Sequence, residues 1–216
     1  MPIVVDHEER RHYIARVVER VIAKQGMDAV TIRNVAREAG FRSTLISHYF
    51  KDKKEMLTFT LDSIRTRASI RVDQEFLENH DLATCIDTLL ATNEDGLSDW
   101  QAWFGFWEKA TFDPDLAAVR LAVVEATHNT LRRLLENGIA RGELPQEVDV
   151  EFHARRLQIV LNGLAAHVVM KPSAWPAETQ RALVKVEVEF IKKMPRPEIG
   201  VRLPNFPFAL NGTSAS

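Results

Sequence analysis

Two groups of side chains have types and spacing suited to chemistry. Arg42, Ser43, Thr44, Ser47 and His48 are short polar or basic residues gathered within one turn and a half of a short helix. Placed at the start and outer face of that helix, such donors and acceptors reach base edges in a DNA major groove. The second group is Trp100, Trp103, Phe104 and Trp107, spaced i, i+3, i+4 and i+7 on one helix face, with three of the chain's four tryptophans. Indole faces attract quaternary or protonated amines, by about 0.5–2 kcal/mol per well-placed ring. Between Val72 and Glu108 there are nine Asp or Glu and no Lys or Arg, and Glu94, Asp95, Asp99 and Glu108 flank the stripe. That potential suits a cation. The same stripe also serves as ordinary core, and both readings stand at this point.

Enzyme chemistry has no comparable footing. There is no Gly-rich phosphate loop, no His-Glu-x-x-His and no Gly-x-Ser-x-Gly. The seven histidines are scattered without ligand spacing. His128 and His167 fall on expected helices, where a pocket-lining role competes with a satisfied or exposed one. Cys85, the lone cysteine, reads as a small core residue. No catalytic residue, metal or cofactor is expected, and the chain is read as not an enzyme.

The elements that must carry these groups are helical. Of 216 residues, 45% are apolar and 27% charged, which suits a globular chain with a sizeable core. One cysteine excludes an intrachain disulfide and fits a reducing, cytoplasmic setting. No window approaches about 18 uninterrupted apolar residues, so no membrane span is expected. The first eleven residues lack the apolar run of a secretory signal. Nine glycines and nine prolines are few for an all-β fold.

Periodicity predicts an all-α chain of about nine helices. Ile14, Val17, Val18, Val21 and Ile22 stripe the first, closed by Gly26. Thr31 caps a short second helix ended by Gly40, and a third covers about Ser43 to Phe50. Asp52 with Glu55 reads as a capping box for a long fourth helix to about Glu78. Asp81 caps a fifth to about Glu94, and Ser98 with Gln101 opens a sixth to about Thr111. Asp113-Pro114 opens a seventh closed by Gly142 and Pro145, Asp149 an eighth to about Met170, and Pro176 the ninth. Residues 195–216, with four prolines, are expected to form a flexible tail. Helices two and three have helix-turn-helix grammar: Ala36 is small at the crossing, Gly40 takes the turn, and Phe41, Leu45 or Ile46, and Phe50 anchor the second helix. Residues 1–71 carry a local charge of +5 and residues 72–216 one of −7. The average of −2 thus conceals a basic head and an acidic body.

Residues 10–57 resemble the DNA-binding domain of the TetR family of transcriptional repressors. The likeness is carried by Thr31-Ile-Arg-Asn-Val-Ala-Arg-Glu-Ala-Gly40, Leu45-Ile-Ser-His-Tyr-Phe50 and Lys53-Lys-Glu-Met-Leu57. Ile46 to Phe50 with Asp52-Lys53 resembles the BetI branch, the repressors of choline-to-betaine genes, as do Trp103-Phe-Gly-Phe-Trp107 and Leu161-Asn-Gly-Leu164. Arg42 stands where that family usually has a capping serine, and Ser43-Thr44 where Lys-Gly or Thr-Gly is commoner.

The resemblance implies a helix-turn-helix domain over residues 1–55 and a ligand-binding and dimerisation domain over residues 56–194. It implies that Thr31, Tyr49 and Lys53 hold phosphates and that Arg33 reaches a base or phosphate. For Tyr49, packing between helices is the competing role. Arg42, Ser43, Thr44, Ser47 and His48 then face the groove of double-stranded operator DNA. The effector region, between helices 4 and 7, contains Asp99, Trp100, Trp103, Phe104, Trp107 and Glu108. The expected effector is small and cationic, of the quaternary ammonium class, with a hydrophobic or acyl-CoA-type ligand as the alternative. A homodimer is implied through helices 8 and 9, with Phe152, Leu157, Leu161, Leu164, Val168, Leu183, Val186 and Phe190 at the interface. Twofold symmetry then predicts a palindromic operator, and specific, salt-dependent binding to the promoter DNA beside its own gene would separate this regulator from a helical enzyme or adaptor.

Overall fold

Polar caps set where the helices of the computed structural model begin, over the described residues 7–198. They are α1 (His7–Gln25), α2 (Ile32–Ala39), α3 (Ser43–Tyr49), α4 (Lys53–Leu77), α5 (Leu82–Asp87), α6 (Glu94–Ala110), α7 (Pro114–Ala140), α8 (Val150–Met170) and α9 (Ala177–Lys193). Short 3-10 turns at Met27–Ala29 and Pro172–Ala174 join them, and the described residues contain no strand. Thr31 Oγ1 accepts from the Asn34 amide at 3.0 Å, Asp52 from Glu55 at 2.8 Å and Asp149 from Phe152 at 3.0 Å. Each thereby satisfies one orphan donor of a first turn. Asp113 accepts from Asp115 and Leu116, with Pro114 already set for the helix. The Glu55 carboxylate reaches back to the Lys51 amide at 2.8 Å, one residue before the cap.

Helices α5 and α6 divide differently from the sequence expectation. α5 stops at Asp87, and α6 opens at Glu94 under an Asn93 cap whose Oδ1 accepts from Gly96 at 2.8 Å. The turn between them folds back tightly. A Cβ on Gly96 would lie 2.6 Å from the Leu90 carbonyl oxygen, so only glycine admits that approach. Ser98 and Gln101 therefore lie inside α6 rather than at its start.

Apolar faces merge into two clusters. One joins Ile14, Val18 and Ile22 of α1, Val35 and Ala36 of α2, Ile46 of α3 and Leu61 of α4 to Trp103 and Phe106 of α6 and Val123 of α7. The head thus shares its core with the body. At Gly105 a Cβ would sit 2.6 Å from Ile22 Cγ2, so α6 lies directly on α1. The other cluster holds Cys85, Ile86, Leu131, Leu135, Val184, Val188 and Ile191 together with Leu157, Leu161, Leu164 and Val168.

That last group corrects the interface expectation. Leu157, Leu161, Leu164 and Val168 are 1, 4, 7 and 1% exposed within the single chain, so its own core already covers them. Phe152 and Phe190 are half-buried, and Leu183 and Val186 are exposed. The exposed row of α8 is instead Ile159, Gly163, His167 and Met170, one helical phase away. The tail's first residues are also pinned. Pro195 O accepts from the Asp149 amide and Arg196 Nε donates to Glu147 O, both at 2.8 Å. The rest of the expected tail, 199–216, lies outside the described residues. Among the described residues no helix is long and apolar enough to cross a membrane.

Candidate functional site

The reading head is built by one turn. Gly40 adopts φ +72°, which lets the Phe41 amide return to the Ala36 carbonyl at 2.8 Å and closes α2. Ala36 is 1% exposed at the crossing. Ile46 and Phe50 are buried, while Leu45 is half-buried, so Ile46 is the anchor of the pair. This phase leaves Arg42, Ser43, Thr44, Ser47 and His48 exposed together. Arg42 occupies the α3 cap position without using its side chain there. Thr31 and Arg33 are exposed beside them. The Thr31 oxygen caps α2, and its hydroxyl proton remains to be donated.

Lys53 is the first residue of α4 and half-buried. Burial, and then the neighbouring Lys109, hold its ammonium below the usual lysine range, partly offset by Asp28. Tyr49 packs between the His7 ring at 4.7 Å and the His48 ring at 5.4 Å, and is half-buried. Its packing role is thus visible.

The body holds two adjoining cavities. The inner one, about 90 Å³, is lined by Ile64, Arg71, Asp99, Trp100, Trp103 and Leu131, among others. The outer one, about 550 Å³, lies between Trp103, Phe104 and Trp107 of α6, Arg120 and Val124 of α7, and Arg155, Ile159 and Asn162 of α8. Trp103, Gln158 and Asn162 line both, and Trp103 Nε1 donates to Asn162 Oδ1 at 3.3 Å across the partition.

The aromatic stripe therefore does line cavities, but the expected cation box is not assembled. Asp99 is 6% exposed and already accepts from Arg67 at 2.7 Å and Arg71 at 3.1 Å. Glu108 is exposed and lines neither cavity. The Arg120 guanidinium lies 4.1 Å from the Trp107 ring centroid and 5.9 Å from that of Trp103. That arginine occupies the place a ligand cation would take. Nothing local in the sequence marked it, since it lies thirteen residues beyond Trp107 on another helix.

Enzyme-like groups are committed elsewhere. Cys85 is 1% exposed, and burial pushes its thiol pKa up. His128 is buried with Nε2 2.9 Å from Glu151, His153 Nε2 contacts the Met194 carbonyl, and His167 is exposed beside Trp175. Neither His128 nor His167 lines the two cavities. Glu75, Glu78 and His80 converge on the surface, a grouping the sequence reading had not singled out.

A helix-turn-helix head sharing its core with a cavity-bearing helical body defines a ligand-responsive transcription regulator. Residues 15–58 match the family described as "Bacterial regulatory proteins, tetR family", and residues 79–191 match "BetI-type transcriptional repressor, C-terminal". The chain belongs to the TetR family of transcriptional regulators, with a BetI-type C-terminal domain, and is not an enzyme. It is 28% identical over 199 residues to the regulator PksA of Bacillus subtilis, covering 88% of this chain and 94% of that one. It is 30% identical over 202 residues to BetI of Cronobacter sakazakii, covering 89% and 94%. Its fold matches a putative regulator from Saccharomonospora viridis solved with choline (TM-score 0.67, 22% identity, 85% and 96% covered). It also matches FadR of Bacillus subtilis solved with stearoyl-CoA (TM-score 0.61, 18% identity, 83% and 96% covered).

Proposed function

We propose that this TetR-family regulator is a homodimeric repressor, released from a palindromic operator by a small molecule that enters the cavities between α6, α7 and α8. One observation carries the reading. Arg42, Ser43, Thr44 and Ser47 are all exposed on one face, and their side chains make no hydrogen bond among the described residues. Exposed donors and acceptors gathered on one short helix, with no partner in their own chain, are available to base edges. In this reading residues 1–55 read DNA, with Thr31, Arg33, Tyr49 and Lys53 on the backbone, and residues 56–194 sense and pair.

The dimer would cover the exposed apolar row. Ile159 is 66%, Met170 81%, Val186 61% and Leu183 38% exposed. Phe152 and Phe190 would flank them. A twofold mate seated on α8 and α9 removes this surface from water and places two heads on one palindrome.

Coupling would run through α6. It lines both cavities, rests on Ile22 of α1 at Gly105, and ties Asp99 to Arg67 of α4. A ligand that binds better to a shifted α6 moves the heads by its differential affinity for the two states. The neighbour solved with choline favours a cationic effector as a second reading. The test is fluorescence anisotropy with the promoter DNA beside its own gene. Salt-dependent, sequence-specific binding is expected; binding no tighter than to random duplex would refute the proposal.

A further inference from the structure

The outer cavity has a one-sided charge balance. Of its lining residues only Arg120 and Arg155 are charged. Arg155 is held by the Glu125 carboxylate at 3.0 and 3.3 Å. Arg120 has no carboxylate partner among the described residues, and its Nε is buried without any hydrogen-bond partner. The Trp107 ring at 4.1 Å offsets part of the lost hydration. It does not satisfy the Nε–H, and a buried donor without a partner is unfavourable. The side chain as a whole is half-buried, so its terminal nitrogens stay open to a ligand. Burial accordingly lowers the Arg120 pKa from its ordinary value.

The rest of the lining is apolar or amide, chiefly Trp103, Phe104, Trp107, Val124, Gln158 and Asn162. An incoming cation meets two guanidinium groups and no free carboxylate. A neutral molecule leaves the Arg120 donors as they are. A carboxylate pairs with them, and arginine grips that group through two parallel hydrogen bonds. A volume of about 550 Å³ lies within the usual range for small-ligand sites.

We infer that this cavity takes an amphipathic carboxylate, its acid group on Arg120 and its apolar body against Trp103, Phe104 and Val124. The inference rests on the reading of this cavity as the effector site and names the ligand class.

The test titrates the full chain, by calorimetry and tryptophan fluorescence, with octanoate, methyl octanoate, octyltrimethylammonium, octanoyl-CoA and 4-phenylbutanoate. At least one carboxylate should bind roughly 10- to 100-fold more tightly than the ester or the ammonium. Arg120→Gln should erase that preference while thermal unfolding stays unchanged, and Arg120→Lys should keep part of it. Three results would overturn the inference: no carboxylate binds, the ester or ammonium binds as well, or Arg120→Gln retains the preference. Binding of octanoyl-CoA without octanoate would overturn the free-acid class. Release of operator DNA is measured separately. Carboxylate binding through Arg120 with no release would defeat the effector reading and leave the inference standing. Release by a ligand that ignores Arg120 would do the reverse.

Discussion

Glu19 of α1 and Asp99 of α6, both buried, share a single guanidinium: Arg67 of α4 donates to them at 2.8 and 2.7 Å. Three helices from the head and the body meet at that point, next to the inner cavity that Asp99 lines. Arg71 adds a second donor to Asp99 at 3.1 Å, and Arg16 lies 3.4 Å from Glu19. Arg67→Met is the direct probe. Removing one partner of a buried ion pair leaves uncompensated charge and costs about 3–5 kcal/mol. Arg71 and Arg16 remain, so a loss near the lower end, about 3 kcal/mol, is expected in urea unfolding. Adding Glu19→Gln should restore part of it. A loss below about 1 kcal/mol would mean that the bridge contributes little, as exposed ion pairs do.

The same cluster predicts a pH dependence. Burial raises the Glu19 pKa above 4.5, and Arg67 only partly opposes it. A carboxyl whose folded pKa lies above its unfolded value binds its proton more tightly in the native state. Its favourable contribution is therefore complete below about pH 4.5 and is lost as pH rises through the folded pKa. Unfolding of the wild type should lose stability relative to Glu19→Gln across that window on going from acid toward neutral pH. Parallel stability curves for the two proteins would show that Glu19 titrates normally.

DNA contacts of two kinds should separate by their salt and sequence dependence. Lys53→Ala, at the α4 start, should weaken binding to all duplexes alike and flatten the salt slope by about 0.9 per lost phosphate contact. Arg42→Ala should cost about 1–3 kcal/mol on the preferred sequence and relax selection at one or two base pairs. Anisotropy titrations at several salt concentrations on operator and random DNA distinguish them. Lys53→Ala with unchanged affinity at physiological salt would remove it from the contact set.

Much of the helix pattern was legible because its signals are local. Thr31, Asp52, Asp113 and Asp149 cap helices from positions readable in a window of four residues, and Gly40 marks the turn. Asn93 was missed although its cap on the Gly96 amide is equally local, because Ser98 with Gln101 offers a rival helix start five residues further on. The partners of Asp99 are 28 and 32 residues away, and no periodicity reports that its charge is already neutralised. On α8 both faces are apolar, so hydrophobicity marks a buried helix without saying which face its own chain covers. Leu161 and Ile159 are equally plausible by composition, yet one is 4% exposed and the other 66%.

That ambiguity yields the last prediction. If the exposed row is a twofold interface, a charge there should break association without unfolding the chain. Val186 on α9 is 61% exposed, so Val186→Glu places its carboxylate in water in the monomer and in an apolar contact in the dimer. Leu164→Ala, at a position the chain itself buries, should do the opposite. It should cost about 2–5 kcal/mol of monomer stability and leave the association of the folded protein intact. Light scattering at micromolar concentration reads the first effect, and urea unfolding reads the second. The expected pattern is a helical monomer for Val186→Glu and a destabilised dimer for Leu164→Ala. A dimer that survives Val186→Glu combined with Ile159→Glu would place the interface on another face.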